Sequence, residues 1–204
     1  METQKFTLND IDKIAQLLSE GRVVAFPTET VYGLGVIYDN EEAFRRLVEA
    51  KHRPADKPFT LMCASVSDID RVAVTDKRIN NIVTRLMPGP LTIIVKAKPS
   101  LPDWVTLHTG KVGLRVSELP FVRKMISKVG KPLLVPSANK SSEPPALSGE
   151  EAFKIFNGEI SAVVYGPLTG QVPSTIVDIG DTITLIRQGP ISLEQILSAA
   201  EGKL

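Results

Sequence analysis

Apolar residues recur along this chain at two spacings, and the two alternate from one end to the other. A three-to-four-residue spacing predicts a helix over 8–20, where Leu8, Ile11, Ile14, Ala15 and Leu18 share one face. Thr7 and Asp10 resemble a capping arrangement ahead of it. A second helix is predicted over 40–50 with Asn40 as N-cap. Two short helices follow within 67–86 and another covers 119–129. Ser148 and Glu151 form a capping box for a helix to about Asn157, and Ser192 with Gln195 opens the last one. Between these lie short β-branched runs that read as strands: RVVAF at 22–26, FTLMC at 59–63, LTIIVKA at 91–97, VGLRV at 112–116, PLLVP at 132–136 and SAVVY at 161–165. STIVDIGDTITLIR at 174–187 reads as a hairpin turning at Gly180 and Asp181. Interleaved strands and helices predict an α/β fold, and the terminal hairpin argues against a purely parallel sheet. A mixed sheet with flanking helices in one domain over residues 1–204 is therefore expected. PTETVYGLG at 27–35 reads as a loop, and the polar, proline-rich NKSSEPPALSGE at 139–150 as a mobile one.

Composition narrows the function class. The 204 residues carry 24 Lys and Arg against 23 Asp and Glu. No global charge draws the chain to nucleic acid or membrane, so any basic surface is local. Cys63 is the single cysteine, which excludes an internal disulfide and a Cys-based zinc site. No apolar run has the length of a membrane span, and METQKFTLND lacks an apolar signal core. A cytoplasmic protein with no membrane attachment is expected.

Four polar segments stand at strand ends, where loops of an open α/β sheet converge on ligands. In PTETVYGLG, Thr28 and Thr30 offer hydroxyls beyond a buried strand, although an ordinary strand-to-loop turn has the same composition. In KHRPADKP, Lys51 and Arg53 leave a helix C-terminus. The helix dipole alone favours cations there, yet such a pair also suits a triphosphate. Neither a P-loop nor a dinucleotide fingerprint is present. In PSANKSS, Ser137 and Asn139 follow a strand and suit either a plain turn or phosphate oxygens. The fourth set is Arg115, Ser174 and Arg187. Arg115 interrupts an apolar strand, which implies either an exposed edge or a carboxylate partner. His52, His108 and Trp104 stand alone, without a motif neighbour.

Taken in order, PTETVYGLG, KHRPADKP, PGPLT, VGLRV, PSANKSS, PSTIVD and IRQGP resemble the threonylcarbamoyl-AMP synthase family, known as YrdC-like, over roughly residues 20–190. The resemblance implies a twisted mixed sheet around a large, basic cavity. It implies ATP, L-threonine and bicarbonate as substrates, Mg²⁺ accompanying ATP, and threonylcarbamoyl-AMP and pyrophosphate as products. A separate transferase complex would then deliver the threonylcarbamoyl group to adenosine in tRNA. Motif by motif, it implies ATP contacts from Lys51, Arg53, Ser137, Asn139 and Arg187, with Lys51 and Arg53 also stabilising charge on the reacting phosphate. Thr28, Arg115 and Ser174 would form the threonine site.

Two positions depart from the family pattern. Met62 stands where many relatives place a His, and Ser142 where many have a Gly. FTLMC also resembles a side branch that lacks the paired KxR and SxN motifs, both of which this chain keeps. The chain resembles the short form without an extra C-terminal domain. The rival reading is a double-stranded RNA-binding module of the same fold without synthase activity, or direct RNA contact by the enzyme itself. Net charge of +1 does not require that reading, and no RNA-binding motif appears.

Overall fold

The computed structural model describes residues 2–52 and 58–203. Among these residues ten strands join into one mixed sheet. In spatial order they are β1 (Gln4–Thr7), β8 (Ala162–Tyr165), β2 (Val24–Phe26), β3 (Gly33–Ile37), β7 (Leu133–Leu134), β4 (Thr60–Cys63), β6 (Lys111–Val116), β5 (Leu91–Lys96), β9 (Thr175–Ile179) and β10 (Ile183–Arg187). Parallel pairs (β1–β8, β8–β2, β4–β6, β5–β9) mix with antiparallel ones (β2–β3, β3–β7, β7–β4, β6–β5, β9–β10).

The helices form where the apolar stripe and a cap coincide. Asn40 caps α2 (Glu41–Lys51) by accepting from the Ala43 amide, and Ser192 with Gln195 closes a full capping box on α8 (Leu193–Ala200). Ser148 accepts from the Glu151 amide at the start of α7 (Gly149–Phe156), but the Glu151 carboxylate accepts from Leu147 N rather than completing the box. In α1 (Ile11–Ser19) the Asp10 carboxylate makes no helix cap; it accepts from Thr7 N and Thr7 Oγ1 and fixes the preceding turn instead. Ile14, Ala15 and Leu18 of α1 are buried, as are Val122, Met125 and Ile126 of α6 (Pro120–Val129), and the two helices pack together. The remaining α-helices among the described residues are α3 (Ile69–Val72), α4 (Lys77–Leu86) and α5 (Asp103–Thr106); α4 packs on α8. Each fully buried Leu, Ile or Val in this core is worth about 1.5–3 kcal/mol of transfer free energy.

Three departures from the sequence expectation bear on the site. The second half of PTETVYGLG is a strand, β3, and not a loop. Its glycines are there for close packing: a Cβ on Gly33 would lie 2.7 Å from Val135 Cγ1, and one on Gly35 2.4 Å from the Phe26 ring. Strand 132–136 shortens to Leu133–Leu134, but its last residues stay bonded to their neighbours: Val135 N donates to Thr60 O, Leu34 N donates to Pro136 O, and Ser137 bridges Gly33 where the SAN segment begins. The 139–150 loop is tied down at its far end, where Ala146 N donates to Ala138 O and Tyr32 N donates to Ala146 O. β1, an edge strand with mostly exposed residues, had no apolar signature to announce it.

Candidate functional site

Strand alternation places one face of the sheet's second half in the core and turns the other, which mixes polar and apolar side chains, toward a cavity. Met62 pairs with Arg115, Thr92 with Ile176, and Ile176 with Arg187. One step beyond the Ile93–Leu114 pair, Thr92 comes opposite Arg115. The five therefore form a row across β4, β6, β5, β9 and β10, and all five line a cavity of about 360 Å³. Leu61, Leu114, Ile93 and Val177, the alternate residues, are fully buried apolar groups on the opposite face. Thr28, Thr30, Tyr32 and Gly33 build one wall, and the Val135–Ser137 segment with Asn139, Glu143 and Pro145 builds another. The volume is that of a small-molecule site.

Arg115 is no edge residue. β6 is interior, and the Arg115 side chain is 8% exposed. Its Nη2 donates to Glu29 Oε1 at 2.7 Å and to Thr30 Oγ1 at 2.9 Å, and its Nε donates to the same Glu29 oxygen at 3.3 Å. Ser117 Oγ donates to Glu29 Oε2 in a short contact. Thr30 is held in turn: its amide donates to Thr28 Oγ1 at 3.2 Å, and Thr28 Oγ1 donates to Val31 O at 2.6 Å. The guanidinium thus enters the cavity already oriented.

Arg187 lies at the rim beside Ser174. Its Nε and Nη2 donate to Ser174 O at 3.1 and 2.9 Å, and Nη2 reaches Ser174 Oγ at 3.2 Å. Ser174 Oγ and Thr92 Oγ1 share a hydrogen bond of 3.0 Å. Desolvation against this wall, followed by the like charge of Arg115, lowers the Arg187 pKa from its usual value. Two guanidiniums sharing a small cavity favour an anionic ligand.

Lys51 ends α2 and is 1% exposed. Its Nζ lies under the SAN turn, donating to Ser137 O at 2.6 Å, Asn139 O at 2.8 Å and Asn139 Oδ1 at 3.2 Å. Ser137 Oγ donates to Asn139 Oδ1 at 2.6 Å, and Asn139 Nδ2 donates to the carbonyls of Lys140 and Glu143, both at 2.8 Å. Ser141 N returns to Lys51 O at 2.9 Å. The two motifs are therefore one unit: the ammonium gathers the carbonyls of the turn, and the turn holds Asn139 against the cavity. A strut outside the cavity reinforces it, with Lys140 Nζ bonded to Ala50 O at 2.8 Å and paired with Glu159.

Of the residues singled out from sequence, Thr28, Arg115, Ser137, Asn139, Ser174 and Arg187 line one cavity. Lys51 stands behind its wall, and Arg53 lies outside the described residues. Glu29, Thr92 and Glu143 belong to the site as well, but are not among the residues singled out from sequence. The one available signal was Glu29, an acid between two threonines in a segment facing an unexplained strand Arg. Met62, at the position where the family pattern has His, is a buried part of the cavity floor. Ser142 has φ +71°, the left-handed region that favours Gly.

The Sua5/YciO/YrdC family model, described as "Telomere recombination", matches residues 16–189. A Bacillus subtilis protein called threonylcarbamoyl-AMP synthase is 38% identical over 200 residues, which make up 95% of this chain and 58% of that relative. A Vibrio campbellii protein of the same name is 34% identical over 187 residues, 89% of this chain and 100% of that one. The chain thus spans little more than half of the first relative and all of the second. The fold superposes on P. abyssi Sua5, whose structure is complexed with L-threonine, with a TM-score of 0.91 and 31% identity, covering 100% of this chain and 62% of that chain. Matched over most of its length in sequence and in fold, the chain belongs to the Sua5/YciO/YrdC family.

Proposed function

We propose that the chain is a threonylcarbamoyl-AMP synthase, a single catalytic domain that makes the adenylate and pyrophosphate from L-threonine, bicarbonate and ATP. The observation that carries this reading is the cavity floor. It sets a pre-oriented guanidinium, Arg115, among the hydroxyls of Thr30, Thr92 and Ser174, with a second guanidinium at the rim. That arrangement suits an amino-acid carboxylate beside a polyphosphate. Relatives of this name at 38% and 34% identity support it.

In this reading the threonine carboxylate meets Arg115, with Thr28 and Ser174 bounding its pocket. ATP lies along Ser137, Asn139 and Arg187, with Arg53 adding charge at the phosphates. Lys51 shapes the turn that holds Ser137 and Asn139. Threonine nitrogen and bicarbonate give a carbamate and water; the carbamate oxygen attacks the α-phosphorus, and pyrophosphate leaves. Positioning of these partners supplies most of the rate gain, and the guanidiniums stabilise charge developing on phosphoryl oxygens. Mg²⁺ would arrive on ATP. Such an ion would be held chiefly by phosphates and water. Glu143 is the carboxylate in the cavity wall that could add a ligand.

Among the described residues no helix is long and apolar enough to cross a membrane. The proposed setting is the cytoplasm, with the labile product passed to a tRNA-modifying transferase complex. Direct RNA contact is not needed for this chemistry. Incubation with ATP, threonine and labelled bicarbonate tests the proposal. Label should appear in a threonylcarbamoyl adenylate, and pyrophosphate release should require threonine. Salt-sensitive RNA affinity without any turnover would instead establish the RNA-binding reading.

A further inference from the structure

We propose that Glu29 is the positioning residue for the amino-acid substrate, acting through Arg115; this rests on the threonine reading above. A guanidinium has five N–H donors. Here three are spent inside the protein: Nε and one Nη2 hydrogen on Glu29 Oε1, the other Nη2 hydrogen on Thr30 Oγ1. Nη1 has no hydrogen-bond partner among the described residues. The side-on edge of Arg115, which could grip a carboxylate with two parallel bonds, is thus occupied by Glu29. A substrate carboxylate is left with an end-on contact at Nη1. Its second oxygen must be met by other donors, and the Thr92–Ser174 hydroxyl pair lies on the same face, one strand away.

Glu29 is itself placed with care. Its side chain is 3% exposed, and its second oxygen accepts from Ser117 Oγ on the segment that continues β6 past Arg115. Acid, hydroxyl and guanidinium therefore form a closed unit that fixes where Nη1 sits. Arg187, whose positive charge bears on Arg115, would otherwise push that guanidinium out of place. The competing idea is that Glu29 only offsets the cost of burying Arg115. The two differ in sign. If Glu29 merely masks charge, removing it exposes a stronger cation and tightens threonine binding. If it positions, removing it weakens threonine binding.

The test is steady-state adenylate formation with threonine and ATP varied separately. Absence of threonine-dependent turnover in the unaltered protein would sink the functional reading itself. Given that turnover, Glu29→Gln keeps the shape and one carbonyl acceptor but loses the charge. It should raise the threonine KM at least about tenfold, with the ATP KM and kcat within about threefold. An unchanged or lowered threonine KM overturns the proposal. Glu29→Asp keeps the charge but withdraws it by one methylene, so it should behave like Glu29→Gln; wild-type kinetics in that variant would reduce Glu29 to charge compensation. Should Glu29→Gln not fold, Ser117→Ala leaves the ion pair intact and removes one anchor. It should raise the threonine KM by about threefold without altering that for ATP, and no change in either overturns the proposal equally.

Discussion

Replacing Lys51 by Ala separates two ways in which a buried cation can serve a nucleotide site. Its Nζ lies 2.6 Å from Ser137 O, 2.8 Å from Asn139 O and 3.2 Å from Asn139 Oδ1. Truncation strips Asn139 O of its donor, while Asn139 Oδ1 keeps Ser137 Oγ and Ser137 O keeps Asn139 N. Each orphaned acceptor costs about 1–3 kcal/mol, and water entering the space recovers part of it. A loss of about 1–3 kcal/mol is expected, read as a lower urea midpoint with an unchanged slope. The turn would then no longer present Ser137 and Asn139 to the cavity, so ATP affinity should fall at least about tenfold, or 1.4 kcal/mol. Because Lys51 acts through the turn, its effect should overlap with that of Asn139→Ala. In a double-mutant cycle for ATP binding, the Lys51→Ala and Asn139→Ala losses should be non-additive by more than about 0.5 kcal/mol. Fully additive losses, with stability untouched, would mean that Lys51 grips phosphate directly and that its bonds to the turn are incidental to binding.

Three further outcomes are expected. Arg115→Lys retains a charge but cannot serve Glu29 from two nitrogens and Thr30 as well, so the threonine KM should rise at least about tenfold while that for ATP changes much less; equal losses for both substrates would show that the cavity is divided otherwise. Ser142→Gly relieves a left-handed φ of +71°. Set against the greater freedom of Gly in the unfolded chain, the gain should be about 0.5–1 kcal/mol, or a Tm rise of about 1–4 °C by calorimetry. Burial, with a smaller contribution from Asp68, pushes the Cys63 thiol from 9.0 up to about 12. Its folded pKa is raised above the unfolded one, so its stabilisation is complete below pH 9 and is lost as pH rises toward 12. Cys63→Ala should flatten the fall in stability across that window, and the native thiol should resist alkylation at neutral pH.

Helices were legible because their signals are local. Asn40, Ser148 and Ser192 each cap a helix from within three residues, and the stripe of α1 is complete in nine. Strands failed where burial comes from elsewhere. β3 reads as a glycine turn until Phe26 and Val135 are packed against Gly35 and Gly33. The site was legible as a set of segments but not as a mechanism. Lys51 and Asn139 are separated by 88 positions in the chain, and nothing near Lys51 says that its ammonium ends on the carbonyls of a distant turn. Arg115 announced itself as a polar residue in an apolar strand. Its partner did not, because Glu29 is 86 positions away.

These partnerships also explain how a sheet can afford a polar floor. An isolated buried Arg or Lys carries a desolvation cost that stability could not absorb. Here Arg115 is matched by Glu29, and Lys51 meets the carbonyls of the SAN turn. Both arrangements leave the ligand-facing groups fixed before any ligand arrives: Nη1 of Arg115 on one side, the Ser137–Asn139 turn on the other. A ligand then meets dipoles that need little reorganisation, which is where electrostatic stabilisation of a developing phosphoryl charge is strongest. The same bonds that let the polar row exist inside an apolar fold are thus those that tune it, and a change at Glu29 or Lys51 must register in stability and in substrate binding together.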